Sequence, residues 1–314
     1  MKVIHDGDPG LGPRESSVVS IGTFDGVHLG HQHVLRQLRT EAEARDVLSA
    51  VVTFDIHPAL VLRPENAPKI LMSLDQKIEL LDANGVDVVY VVHFDHDRSL
   101  TTSDDFVREV FADALHARAV VVGEDFHFGR NREGNIERLR SMGEKLGFEV
   151  DGLELIRHEV AAREPVSSTA IRRALAGGDV AAAAAMLGRP YEVRGVVARG
   201  DERGRTIGFP TANIPVSKQM AWPADAVYAG WYTRANGQVF PCAINIGRRP
   251  TFYEHAEQSL LEAHLIDFDD DLYGETARVS FVDFLRSEQR FAGIDALSAQ
   301  LKRDVQHARD VLGV

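Results

Sequence analysis

Val18–Leu38 reads VVSIGTFDGVHLGHQHVLRQL, an apolar run that passes through Gly22, Gly26, Gly30 and three histidines into an amphipathic run. The first part has the continuous apolar character of a strand buried on both faces, and the last part has helical periodicity. We expect the strand to end at Thr23-Phe24, turn through Asp25-Gly26 and give way to a helix near Leu29 or Gly30. Working outward, the same alternation recurs: HVLRQLRTEAEARDV, SAVVTF, SLDQKIELLDANG, VDVVYVVHF, TTSDDFVREVFADAL with Thr101, Thr102 or Ser103 as its cap, then RAVVVGEDF. Strands alternating with crossover-length helices predict a doubly wound parallel sheet, and the opening stretch is its first strand-to-helix junction.

That junction lies at the carboxyl edge, where such sheets bind ligands. A helix amino terminus offers backbone N–H groups and the positive end of a dipole, and glycines admit a phosphate closely. His28 and His31, three apart, can face one point there and donate hydrogen bonds to a phosphate gaining charge. A capping or surface histidine is the plainer alternative, and zinc a third. Zinc would need further ligands, for which neither cysteine pairs nor an HExxH pattern is present.

The pattern changes after STAIRRALAGGDVAAAAAMLGRP, where Gly177-Gly178 is expected to break one helix and Pro190 to end a second, Ala181–Leu187. From Tyr191 the runs are short and strand-like: YEVRGVVARG, WYTR, QVFPCAINIG, SLLEAHLID and ARVSFVDFLR, with turn signals such as Asn236-Gly237 between them. This half is expected to be an antiparallel β-barrel or sandwich followed by one amphipathic helix, GIDALSAQLKRDVQHARDVLG, with the boundary near residue 186. Two domains agree with a length of 314 residues. Hydrophobic residues at 44% and charged residues at 26%, without an eighteen-residue apolar run, disfavour a membrane span, and the opening MKVIHDGDPG lacks the pattern of a secretory signal. A single cysteine, Cys242, points to the reducing cytoplasm, and a net charge of -12 gives no support for nucleic-acid binding.

His28-Leu29-Gly30-His31 resembles the HxGH signature of the nucleotidyltransferase superfamily, and GTFDGVHLGHQ looks like the amino-terminal module of bacterial bifunctional riboflavin kinase/FMN adenylyltransferases, the FAD synthetases. VVTFDIHP (Val51–Pro58), VVGEDFHFGRNREGN (Val121–Asn135) and VSSTAIRRAL (Val166–Leu175) are similar to further motifs of that module. RGRTIGFPTANI (Arg203–Ile214), NIGRRPTF (Asn245–Phe252) and LEAHLIDFDDDLYG (Leu261–Gly274) resemble riboflavin kinase. The motifs fall in the family's order over nearly the whole chain. The implied architecture is α/β: a nucleotidyltransferase domain over 1–185 with the doubly wound parallel sheet, and a riboflavin kinase β-barrel with a terminal helix over 186–314.

The resemblance implies two ATP-dependent reactions, phosphorylation of riboflavin to FMN and adenylylation of FMN to FAD with release of pyrophosphate. For the second, it implies Gly22, Phe24, Asp25, Gly26, His28, His31, Ser168, Thr169 and Arg172 at ATP, and Phe54, His57, Asp125, Phe126 and Phe128 at the flavin. By themselves the SST residues read as an N-cap, and Phe54 as core. For the first it implies Gly204, Gly208, Pro210, Thr211 and Asn213 at ATP, with Thr211 and Asn213 as magnesium ligands and Glu262 as base. Thr211 and Asn213 are two apart, so an extended segment turns both oxygens one way, as a hard cation requires. Without the resemblance, a glutamate in a strand is a solvent-face residue. The acidic run Asp267–Asp271 lacks EF-hand spacing and is expected to be a turn. Ile56 stands where the family commonly has proline, Asp125 where some members have asparagine, and Ala226 where glycine is common. The expected partners are riboflavin, FMN and ATP with Mg2+, with no nucleic acid or membrane; oligomeric state is left open. A chain with one live activity and a flavin-binding regulator are the alternatives.

Overall fold

The computed structural model describes residues 1–123, 126–153, 165–200, 204, 207–248 and 259–314. The chain forms two compact units, Met1–His158 and Glu159–Val314.

In the first unit six strands lie in the order β1 (Lys2–His5), β4 (Val88–Val92), β3 (Leu48–Phe54), β2 (Ser17–Ile21), β5 (Ala117–Gly123), β6 (Glu149–Leu153), and every pairing is parallel. All five residues of β2 are buried, as a central strand covered on both faces requires. Alternate side chains supply two cores. Val19, Ile21, Val52 and Val120 pack with Val107, Val110 and Phe111 on one face. Val18, Val51, Val89 and Val121 pack with Leu35, Leu38 and Leu81 on the other. Those covering residues come from α1 (Leu29–Ala44), α3 (Leu74–Ala83) and α5 (Ser103–Phe106), which continues as π-helix over Val107–Ala114. Ser73 and Gln76 form a capping box on α3, and Thr102 caps α5. The short α2 (Pro58–Leu62) and α4 (His96–Ser99) follow β3 and β4, and α6 (Ile136–Leu146) precedes β6. From β2 the chain proceeds to β3 on one side, while β5 flanks β2 on the other. The strand order therefore reverses at the carboxyl end of β2, the place where open α/β sheets bind ligands.

The second unit begins with α7 (Ser168–Ala176) and α8 (Val180–Leu187), followed by six antiparallel strands ordered β7 (Tyr191–Val196), β12 (Thr276–Ser287), β9 (Ala226–Thr233), β10 (Val239–Arg248), β11 (Ser259–Leu265), β8 (Ala212–Pro215). The outer strands meet: Ala198, just past β7, pairs with Asn213 of β8 through a 2.8 Å backbone hydrogen bond, so the sheet curls into a near-barrel. Tyr228, Tyr232, Ile244 and Phe281 are fully buried. Gly230 is required by close approach, since a Cβ there would lie 2.1 Å from the Ser280 carbonyl oxygen. The last helix, α9 (Ile294–Leu312), packs Ala308 and Val305 against Ala229, Ala243 and Ile266.

Several boundaries differ from the sequence reading. The edge strands β1 and β6, together with α6, had no clear signal, and β9 starts five residues before WYTR. Helix α8 ends at Gly188, which adopts the left-handed conformation at φ 72°, before Pro190 is reached. By packing, α7 and α8 group with the second unit. The last turn of α7 is tied to the segment before β9, with Ala224 N–H donating to Leu175 O at 2.9 Å, and α8 packs on β7 and β12.

Asp304 of α9 is 4% exposed and takes a bidentate ion pair from Arg286 at 2.8 and 2.7 Å. Asp304→Ala would leave that guanidinium half-buried and unpaired, and should lower the stability of the second unit by about 3 kcal/mol, read from urea unfolding of the full chain.

Candidate active sites

Between β2 and α1 the chain makes a tight turn in which Phe24, Gly26 and Val27 all take positive φ, at 46°, 90° and 36°. Gly26 does so freely, whereas a β-branched Val27 in that region is strained, and strain of this kind persists only where surroundings over-determine it. The restraints are visible. Both carboxylate oxygens of Asp25 accept from the Leu71 backbone N–H at 2.9 and 3.1 Å, and Gly22 N–H donates to Val52 O at 3.1 Å. A Cβ on Gly22 would lie 3.2 Å from the Phe24 ring.

The turn delivers His28 as the N-cap of α1, with its Nδ1 accepting from the His31 backbone N–H at 3.3 Å. Because Nδ1 accepts, the neutral ring carries its proton on Nε2, which becomes the donor. The His31 ring stacks on His28 with centroids 3.7 Å apart and planes 15° from parallel, and Phe24 flanks it at 5.1 Å. Burial holds His31 well below the ordinary histidine range, with the charges of His28 and Lys77 adding to the effect. Its Nδ1 is buried without a hydrogen-bond partner among the described residues. The structure thus brings Gly22, Phe24, Asp25, Gly26, His28 and His31 together at the end of β2, with two imidazoles at the first turn of a helix.

The neighbouring strand ends carry the expected flavin residues. Phe54, the last residue of β3, meets Phe94 edge-on at 5.5 Å, and the His57 ring caps α2 by accepting from Ala59 N–H at 3.2 Å. Beyond β5, Phe126 stacks on Phe128 at 5.2 Å; Phe128 is 7% exposed and packs on Phe106. A Cβ on Gly134 would lie 2.8 Å from the Phe128 ring, and one on Gly129 would lie 2.7 Å from Ser103, so two glycines let this loop close down. Asp125 lies outside the described residues. Ser168, Thr169 and Arg172 form the start of α7 in the second unit. Ser167 caps that helix, leaving Ser168 and Arg172 four apart on one face.

In the near-barrel, Asn213 of β8, Glu262 of β11 and Asn245 of β10 lie directly opposite one another in register, so their side chains share a face. Asn213 is 7% exposed, and its Oδ1 has no hydrogen-bond partner among the described residues. A Cβ on Gly200 would lie 2.5 Å from the Asn213 amide, so that glycine makes room for it. The turn ahead of β8 is also close-fitting. Gly204 O accepts from Phe209 N–H at 2.9 Å, a Cβ on Gly204 would lie 2.3 Å from Phe209 O, and Gly208 has φ 85°. Pro210 and Thr211 follow, with the Pro210 carbonyl accepting from His264 Nδ1 at 2.8 Å. The acidic run is a turn gripped by arginines: Asp267 pairs with Arg309 at 2.6 Å and Asp270 with Arg234 at 3.1 Å. Of the NIGRRPTF motif, 249–252 lie outside the described residues.

Sequence reasoning missed Lys77, Asn245 and His264. His264 carried a signal, being two residues beyond Glu262 on one strand and therefore on the same face. So did Lys77, which occupies a position of the apolar stripe formed with Leu74, Ile78 and Leu81.

A parallel sheet with stacked histidines at its switch point, joined to an antiparallel near-barrel bearing an acid-amide row, defines a two-domain nucleotide-dependent transferase. Residues 12–170 match the FAD synthetase family model, and 187–312 the riboflavin kinase model. The bifunctional riboflavin kinase/FMN adenylyltransferase of Haemophilus influenzae is 39% identical over 94% of both chains. Those of Escherichia coli K12 and Bacillus subtilis are 39% and 37% identical, over 96% and 98% of this chain and 95% and 97% of theirs. A solved structure described as a macrolide-efflux protein from Streptococcus pneumoniae superposes with a TM-score of 0.86 at 30% identity, covering 98% of this chain and 99% of that one. No helix among the described residues here is long and apolar enough to cross a membrane. The chain belongs to the bifunctional riboflavin kinase/FMN adenylyltransferase family. It phosphorylates riboflavin to FMN with ATP, and adenylylates FMN to FAD with release of pyrophosphate.

The depressed His31 value has a consequence for stability. As pH falls past about 6.5, the unfolded chain protonates this histidine while the folded one resists, so the unfolded state binds more protons. Stability from His31 is full above that pH and is lost below it. The urea midpoint of the first unit should therefore fall between pH 7.5 and 5.5, and His31→Gln should reduce that fall.

Proposed function

We propose that the two reactions are run by separate residue sets, one in each domain. The stacking of His28 on His31 at the switch point supports the first set most directly. In adenylyl transfer an FMN phosphate oxygen attacks the α-phosphorus of ATP in line, and the pyrophosphate leaves, so one P–O bond forms as another breaks. The protein has no covalent intermediate to make, and its work is alignment and stabilisation of developing charge. His28 and His31 would donate to the ATP phosphates, and the Gly22–Gly26 backbone would let the nucleotide approach. Ser168, Thr169 and Arg172 would hold the leaving pyrophosphate with hydroxyls and a guanidinium. On this reading the functional division stands at 185/186. Phe54, His57, Asp125, Phe126 and Phe128 would form the flavin side. Phe126, partly exposed beside buried Phe128, offers a ring face for stacking.

In the kinase half, Glu262 would accept the proton of the riboflavin 5'-hydroxyl as its oxygen attacks the γ-phosphorus and ADP leaves. Gly204, Gly208 and Pro210 would shape the loop around the ATP phosphates. Thr211 and Asn213 would hold Mg2+, an assignment that fits the buried Asn213 Oδ1 without a partner among the described residues. Bound there, the metal would supply charge neutralisation at the phosphates. Thr211 and Asn213 would supply hard oxygen ligands, while Glu262 lies opposite Asn213 on the next strand. The cytoplasm, where ATP is made and Cys242 would stay reduced, suits both reactions.

Two variants test the division, each followed by chromatography of flavins in the full chain. His28→Ala with His31→Ala should cut FAD formation from supplied FMN by at least about 100-fold while FMN formation from riboflavin continues. Glu262→Gln should cut FMN formation by about 100-fold or more and leave FAD formation from supplied FMN. Loss of both activities in either folded variant would refute separate sites.

A further inference from the structure

Lys77 is 8% exposed on α3, at a position whose helical neighbours in the stripe are apolar. A buried ammonium is costly unless its hydrogen bonds are met, and here two are, both at the carboxyl end of β3. Its Nζ donates to Thr53 Oγ1 and to the Phe54 carbonyl, each at 3.1 Å, and the Thr53 hydroxyl donates onward to Thr23 O at 3.3 Å. One cation thus ties α3 to the last two residues of β3 and, through Thr53, to the turn that delivers His28.

We propose that Lys77, as an ammonium ion, is a positioning residue for adenylyl transfer, fixing the Thr23–His28 turn against the carboxyl end of β3. The inference rests on the assignment of His28 and His31 to that reaction. Lys77 is assigned no contact with a reacting atom. It acts through the backbone of Phe54 and Thr23, each next to or within the residues assigned to flavin and nucleotide. The titratable groups that face it are Asp25 from the β2–α1 turn, Asp55 from the segment after β3, and His31 from α1. Asp25 is itself bound to Leu71 N–H, and Asp55 to His93 and the Phe94 N–H. Burial draws Lys77 down to about 8, against the pull of the two aspartates. Raising the pH through 8 therefore removes the charge that strengthens both its hydrogen bonds and its field at His31.

The test is the pH dependence of kcat/KM for ATP in FAD formation from supplied FMN, from pH 6 to 10, in the full chain. Wild type should lose activity on the alkaline side with a midpoint near 8. Lys77→Arg, charged throughout, should move that limb up by a pH unit or more, and Lys77→Gln should be at least tenfold slower at pH 7 and lack the limb. Riboflavin kinase profiles of the same preparations should be unchanged. A wild-type profile without a limb between 7 and 9.5, or one that persists in Lys77→Gln, overturns the proposal. Should Lys77→Arg not fold, the wild-type and Lys77→Gln profiles decide it. If Lys77→Gln is normal while the double histidine variant is dead, the Lys77 role fails and the histidine site stands. If the histidine variant is active, the site itself fails.

Discussion

A strand buried on both faces has to end, reverse direction and start a helix within the seven residues Gly22–His28, and the first unit depends on how that is done. The backbone takes positive φ at three of those residues, including the β-branched Val27. It is kept there by bonds at both flanks: Asp25 on Leu71 N–H, Gly22 N–H on Val52 O, and Lys77 acting through Thr53 on Thr23 O. Such conformations cost free energy that the surrounding core must supply. What results is a helix start whose cap is an imidazole, stacked on a second imidazole one turn later. A serine or aspartate would cap the helix as well. A histidine at that position caps with Nδ1, which puts the proton of the neutral ring on Nε2.

The second unit meets a different constraint. Six antiparallel strands leave two edges, and here the edges find each other through Ala198 and Asn213. Asn213 sits at that closure and, through the separate pairing of β8 with β11, lies in register with Glu262, so the amide and the acid share one face. Glycines at 200 and 204 admit the neighbouring atoms, and His264 fixes the Pro210 carbonyl at the head of the segment. Burial keeps the His264 imidazole below its ordinary range, which suits a neutral ring donating from Nδ1.

The two reactions share ATP and one flavin, with the product of the kinase half serving as acceptor in the other. The chemistry differs in which phosphorus is attacked, the γ-phosphorus by an alcohol or the α-phosphorus by a phosphate. An alcohol must lose a proton as it attacks, the work proposed for the carboxylate in the barrel. An FMN phosphate oxygen is already charged, and the work proposed for the histidines of the sheet is to donate to phosphate.

Periodicity in the sequence by itself determined the parallel α/β half, the antiparallel half and the final helix, because long buried strands and amphipathic helices leave a repeat that survives without knowledge of neighbours. Glycine spacing marked the turn before His28, and the motif strings named the residues on which the site assignments rest. Short edge strands such as β1 were not legible, since four residues with only Ile4 buried carry almost no pattern. Nor was the attachment of α7 and α8 to the barrel unit, because their apolar faces state that they pack but not on what. Only the tertiary structure decided that Lys77 lies inside, that Asp25 is spent on a backbone N–H, and that Asn213, Glu262 and Asn245 form one row. Those facts depend on strand order and register between segments far apart in sequence, which no local pattern encodes.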